Sequence, residues 1–301
     1  MTLIVAGHAF EIEADMLGDN SAKDSPYVEA GLFVLCDSVI STNGGGQLLD
    51  GDFRKIRRFH VSVREPQFYH DGRFHRFGPE KNAGSVYVAF AGSALSAQAV
   101  FERAAAMLSD LRVSCDRSRE DGLLHYVLRL QDEPDPLSEG GGVHIWGADT
   151  FTRADLASIS IHSAVVDCLK RAINETFAAK QEITTSAEQF RSWRAEFVSA
   201  SWCKRTSTGR LHLYRLNEHR SAEGMHFFST SPEEIPAGDL AVLGMRNEFE
   251  TAAKTRFDRA REDRAATFDA MREFMTCSIE KHRKTGLTEI GLPIRELRLP
   301  A

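Results

Sequence analysis

The sequence has no CxxC pair. Its five cysteines, Cys36, Cys115, Cys168, Cys203 and Cys277, are isolated and odd in number, which argues against a disulfide framework and predicts reduced thiols in a cytoplasmic protein. Long apolar runs are missing as well: nothing approaches the ~18 residues of a membrane-spanning helix. The opening TLIVAG lacks the length and basic leader of a signal peptide, so neither membrane nor export is expected. Positive charge is not in excess, since the formal net charge is -6; a general partnership with nucleic acid or anionic lipid is therefore not expected. The glycine runs at 44–46 and 140–142 are not followed by Gly-Lys-Ser/Thr and read as turns. His60, His70 and His75 match no common ligand spacing, so no metal and no cofactor is expected. No internal repeat is present.

What is there suits one large core. The 301 residues are 42% hydrophobic and 27% charged, an ordinary globular balance. Val-, Ile- and Phe-rich runs at 2–6, 32–40, 55–63 and 86–91 predict strands, with long loops at 13–30 and 65–84. Helical spacing of Val100, Ala104, Met107, Leu108 and Leu111 then predicts an amphipathic helix, and 154–179 a second. Strands are predicted again at 123–130, 197–203, 211–216, 225–228 and 240–243. A third helical region covers 249–282, and 292–299 closes the chain as a strand. Sheet, helices, sheet, helices and a last strand is the order that two sheets between helical layers would produce.

Three residues carry candidate chemistry. Removal of Met1 ahead of the small Thr2 would leave one residue holding both a hydroxyl nucleophile and an α-amine, whose ordinary pKa of about 7.7 to 8.0 lets it accept a proton near neutrality. Asp37 falls in the apolar FVLCDSVIST, where an unpaired carboxylate would be costly, so it needs a cation. Lys55 begins the next strand and can supply one, fixing the direction of the Thr2 hydroxyl. Cys36 beside Asp37 is read as core packing, because a carboxylate neighbour raises a thiol pKa. The basic run at residues 54–58 is not a uniform ridge, since alternation sends its side chains to two faces.

In content and order, TLIVAG, FVLCDSVIST, LLDGDFRKIRRF and VYVAFAGSALSAQAVFE resemble the proteasome β-subunit and its bacterial HslV relative. The resemblance implies an α+β fold, a four-layer αββα sandwich of two mainly antiparallel sheets between helical layers. It implies one domain over 1–301, with insertions near 13–30, 64–84 and 115–150. Carried over by position, it makes Thr2 the nucleophile, Asp37 and Lys55 its electrostatic partners, Ser41 a residue lining the substrate cleft and the Gly92 N–H the oxyanion donor. Where the family has a Gly-Ser-Gly turn, this chain has LGMR at 243–246. His282 and Thr285 stand at the positions of an Asp and a Ser that support the amine.

The implied activity is a threonine-type N-terminal nucleophile hydrolase cleaving peptide bonds, activated by removal of Met1. The implied partners are a ring of identical subunits, a peptide or unfolded protein substrate and an activating ATPase. Two other readings stay open: a catalytically silent scaffold, favoured by Met245 and His282, and an amidase for small substrates, if the insertions narrow the cleft.

Overall fold

Alternating apolar residues drive the first strands together, and each later element finds a face already prepared for it. A computed structural model describes residues 2–13, 25–41, 48–50, 54–72, 74–117, 124–133, 151–184, 186–220 and 226–300. Met1, both glycine runs and large parts of the loops expected near 13–30 and 115–150 lie outside the described residues.

The first half comprises β1 (Leu3–Ile12), β2 (Tyr27–Cys36), β3 (Ile40–Ser41), β4 (Leu48–Asp50), β5 (Ile56–Phe68), β6 (Phe74–Gly92), α1 (Ala94–Leu108), β7 (Leu111–Arg117) and β8 (Leu124–Leu130). There follow α2 (Arg153–Ser158), α3 (His162–Glu182), α4 (Ala187–Ser192), β9 (Ala195–Cys203), β10 (Thr208–Arg220), β11 (His226–Glu234) and β12 (Leu240–Gly244). Helices α5 (Arg246–Glu262) and α6 (Thr267–Lys284) precede the last strand, β13 (Arg295–Leu299).

Two main sheets result. One has the order β12-β1-β2-β13 and the other β11-β10-β9-β6-β5-β7-β8; all pairings are antiparallel except β5 with β7. Ile4, Ala6, Val34, Ala89, Val198 and Leu211 form the apolar layer between the sheets. Outside the larger sheet, Val100, Phe101 and Ala104 of α1 and Val165, Leu169 and Ile173 of α3 cover Val86, Val88 and Phe197. Outside the smaller sheet, Phe249 and Phe257 of α5 and Met271 and Met275 of α6 cover Leu3, Val5, Phe33 and Leu35. Strand periodicity thus gives each sheet two apolar faces, and the chain is an α+β protein with the four-layer αββα order.

Several expected boundaries move. Residues 65–84, expected as a loop, are largely the outer part of a hairpin, in which Arg64 faces Glu80 and Pro66 faces Phe77 across β5 and β6. Alternating charges had the look of a solvated loop, but here they pair across strands: Arg64 bonds Glu80 and Lys81 bonds Glu65. The helix expected over 154–179 is two. Thr152 and Asp155 form a reciprocal capping box for α2, and extended backbone at Ile159 separates it from α3. The region expected over 249–282 also divides, at a turn where Arg264 adopts φ 55°.

Candidate active site

Asp37 stands one residue beyond β2, not inside a strand as expected. That position lets backbone amides reach it. Leu3 N–H donates to Oδ1 at 2.9 Å, Val39 N–H to Oδ2 at 3.1 Å, and Lys55 Nζ to Oδ1 at 2.8 Å. Asp37 and Lys55 are both 0% exposed, so each charge depends on the other and on these bonds. Burial pulls the Lys55 ammonium below the ordinary lysine range, opposed by Asp37. Burial also pushes the Asp37 carboxyl up, opposed by Lys55 and by the two amides.

A second Lys55 N–H is directed at Thr2. Nζ lies 3.0 Å from Thr2 Oγ1, and Thr2 is 5% exposed. Thr2 itself is held by its carbonyl, which accepts from Met245 N–H at 2.9 Å. The chain comes so close here that residue 244 must be glycine: Gly244 has φ +81°, and a Cβ on it would lie 1.8 Å from the Thr2 oxygen. The Gly-Ser-Gly hydroxyl is missing from LGMR, and what this turn supplies to Thr2 is the backbone N–H of Met245 on its carbonyl.

Beside this cluster lies a cleft of about 440 Å³, lined by Ala91, Gly92, Arg194, Glu196, Gly244, Met245, Arg246, Asn247 and Glu248. Gly92 has φ +112°, and a Cβ there would meet the Arg194 carbonyl oxygen at 2.4 Å. Glycine lets β6 turn out of its sheet at the cleft wall, with Ser93 N–H donating to that same carbonyl at 2.9 Å. Cys36 takes no part, since burial, with Asp37 adding to it, pushes its thiol up to about 12.

Three sequence candidates remain. Ser41 is in β3, opposite Leu48 of β4. His282, in the last turn of α6, is buried; Nε2 lies 2.6 Å from Glu289 Oε2 and Nδ1 3.5 Å from Glu248 Oε1. Thr285 Oγ1 donates to the His282 carbonyl at 2.7 Å, closing the helix end. Among the described residues neither His282 nor Thr285 contacts Thr2; the link from His282 toward the cleft runs through Glu248. The residues missed by sequence reasoning, Leu3, Val39 and Met245, all act through backbone N–H groups, which leave no mark on side-chain identity. Gly244 was the one available signal.

No family model matches this sequence, and no curated protein does. Among solved structures it is similar to an Anbu mutant from Hyphomicrobium sp. strain MC1, at 13% identity and a TM-score of 0.48 over 100% of this chain and 82% of that one. It is also similar to Anbu (ancestral beta-subunit) from Yersinia bercovieri, at 12% identity and a TM-score of 0.47 over 99% of this chain and 81% of that one. The third is the helical assembly of the Anbu complex from Pseudomonas aeruginosa, at 13% identity and a TM-score of 0.46 over 99% of this chain and 81% of that one. At such values the chemistry has to be argued from this chain's own residues.

Proposed function

We propose that the protein is a threonine-type N-terminal nucleophile hydrolase acting on peptide bonds, with Thr2 as nucleophile after removal of Met1. The observation that carries this reading is the buried Lys55 ammonium shared between Asp37 Oδ1 and Thr2 Oγ1. A lysine serving structure alone needs only the carboxylate; here it also aims at a hydroxyl beside a cleft.

In the proposed reaction Thr2 Oγ1 adds to the substrate carbonyl carbon while its proton passes to the free Thr2 amine. Lys55 stabilises the developing negative charge on Oγ1, and the Gly92 N–H receives the carbonyl oxygen as it becomes an oxyanion. The C–N bond then breaks, the leaving nitrogen takes the proton from the amine, and water hydrolyses the ester left on Thr2. Asp37 keeps Lys55 charged and in place. Ser41 would line the substrate path, and a ring of identical subunits in the cytoplasm, fed by an activator, belongs to the same reading.

A silent scaffold is the second reading, favoured by His282, which is bonded to Glu289 and faces Glu248. Intact-mass and N-terminal analysis of natively expressed protein, before and after a peptide boronate or β-lactone, separates the two. The hydrolase reading expects Thr2 as the first residue and an adduct on it, absent in Thr2→Ala. Retained Met1 with no adduct would sink it.

A further inference from the structure

Most arginines of this acidic chain have a carboxylate in reach, as Arg64, Arg191, Arg210 and Arg298 do. Three do not. Among the described residues no carboxylate pairs with Arg54, Arg57 or Arg58, although all three are exposed and border one pocket of about 290 Å³. The pocket's inner wall is apolar, with Phe90 of β6 and Phe101 of α1, both buried.

The guanidinium of Arg57 is held in place without being neutralised. Its Cζ lies 5.5 Å from the Phe59 ring centroid and 5.9 Å from that of Phe101, and NH1 donates to Gln98 Oε1 at 3.5 Å. Gln98 is in turn tied to Glu102, one helical turn farther from the pocket. Arg58 lies over Tyr87, Cζ to centroid 5.5 Å. Two aromatic faces and one amide thus position the Arg57 cation, and among the described residues no carboxylate takes up its other donors. The Asp37 carboxylate brings these arginines no compensating negative charge, because it is paired with Lys55.

Position ties this pocket to the proposed chemistry. Lys55 lies between Arg54 and Ile56, which both border the pocket, and Phe90 on its wall is two residues from Gly92. The neighbouring cleft is electrically mixed, with Arg194 and Arg246 answered by Glu196 and Glu250. Among the described residues, those bordering the arginine pocket carry charge of one sign.

We infer that this pocket selects an acidic side chain, the carboxylate of an Asp or Glu in the substrate, close to the bond that Thr2 attacks. The inference rests on the hydrolase reading for the word substrate, but the binding of a carboxylate is independent of turnover. Arginine suits the task, since its planar fork can present two parallel donors to a carboxylate while its flat face stays on a ring. The methylene stem of the acidic residue would rest against Phe90 and Phe101.

The test compares acetyl-Ala-Ala-Glu-amide with acetyl-Ala-Ala-Gln-amide by titration calorimetry on the full chain, since the pair differs only in charge. The expected result is at least about tenfold tighter binding of the Glu peptide, the scale of one charge-assisted pair. That preference should shrink with added salt and vanish in Arg57→Gln and Arg54→Gln, whose exposed side chains leave the thermal midpoint unchanged. Equal binding of the two peptides, no binding of either, or a preference that survives both substitutions would overturn the proposal. The boronate experiment is read separately. Glu preference without any Thr2 adduct defeats the hydrolase reading and keeps the pocket; an adduct without Glu preference does the reverse.

Discussion

Two buried charge clusters lie on either side of the Gly244–Met245 turn, and they are built differently. In the first, the Lys55 ammonium divides its donors between Asp37 and the Thr2 hydroxyl. In the second, His282 Nε2 is bonded to Glu289, and Glu248 stands 3.5 Å from Nδ1. The first cluster ends on a nucleophile, whereas the second ends on carboxylates and the cap of α6. A buried charge that satisfies only its counterion fastens the fold, and one with a further donor aimed at a hydroxyl can do chemistry as well.

The strongest way to break this contrast is Lys55→Ala. It strands the Asp37 carboxylate in a site with no exposure and should cost about 3–5 kcal/mol in chemical denaturation, together with the boronate adduct. Replacing the pair together, Lys55→Met with Asp37→Leu, should recover most of that stability without recovering the adduct. If the double substitution still reacts, Thr2 does not depend on Lys55 and the comparison fails.

Next in size comes a histidine with no carboxylate bonded to it among the described residues. His162 Nδ1 and Nε2 meet Ser201 Oγ at 2.7 Å and Thr208 Oγ1 at 3.0 Å. Burial, helped by Arg210 and His212 and opposed by Glu234, lowers its pKa from the ordinary 6.5 to about 4. The neutral ring is therefore the folded form, so its contribution is fully present above pH 6.5 and is lost as pH falls from 6.5 to 4. Unfolding free energies measured across that window should fall by roughly 3 kcal/mol more in the wild type than in His162→Gln. Parallel pH curves would show that His162 is not held neutral.

Within the second cluster the two carboxylates should differ. Glu289 is 6% exposed, so Glu289→Gln, which weakens a buried charged hydrogen bond, should cost roughly 1–3 kcal/mol. Glu248 has a side chain 51% exposed, and Glu248→Gln should cost below ~1 kcal/mol. Equal costs, read from denaturant midpoints, would mean that His282 is held from the cleft side as firmly as from within.

Much of the first cluster was legible because burying charge is costly: an Asp in an apolar run demands a cation, and Lys55 opens the next strand. The layer order was legible too, since period-2 runs flank period-3.6 runs throughout. Residues 65–84 were not, because alternating charge looks alike in a loop and in a cross-strand ladder. Nor was the division at residues 159–161, where apolar residues continue across the break. The backbone donors of Leu3, Val39 and Met245 carry no side-chain signature. The isolation of Arg57 was invisible for another reason: lack of a partner belongs to the folded surroundings, not to the residue.

One further consequence follows from the place of β1 between β2 and β12. During synthesis β1 is made long before β12, yet it needs β12 to complete its hydrogen bonds on one side, and Thr2 needs Met245 to fix its carbonyl. The candidate nucleophile therefore waits for nearly the whole polypeptide before it is seated. Such distant pairing slows folding, and it also acts as a timing device: a partly made chain holds the threonine but not the site.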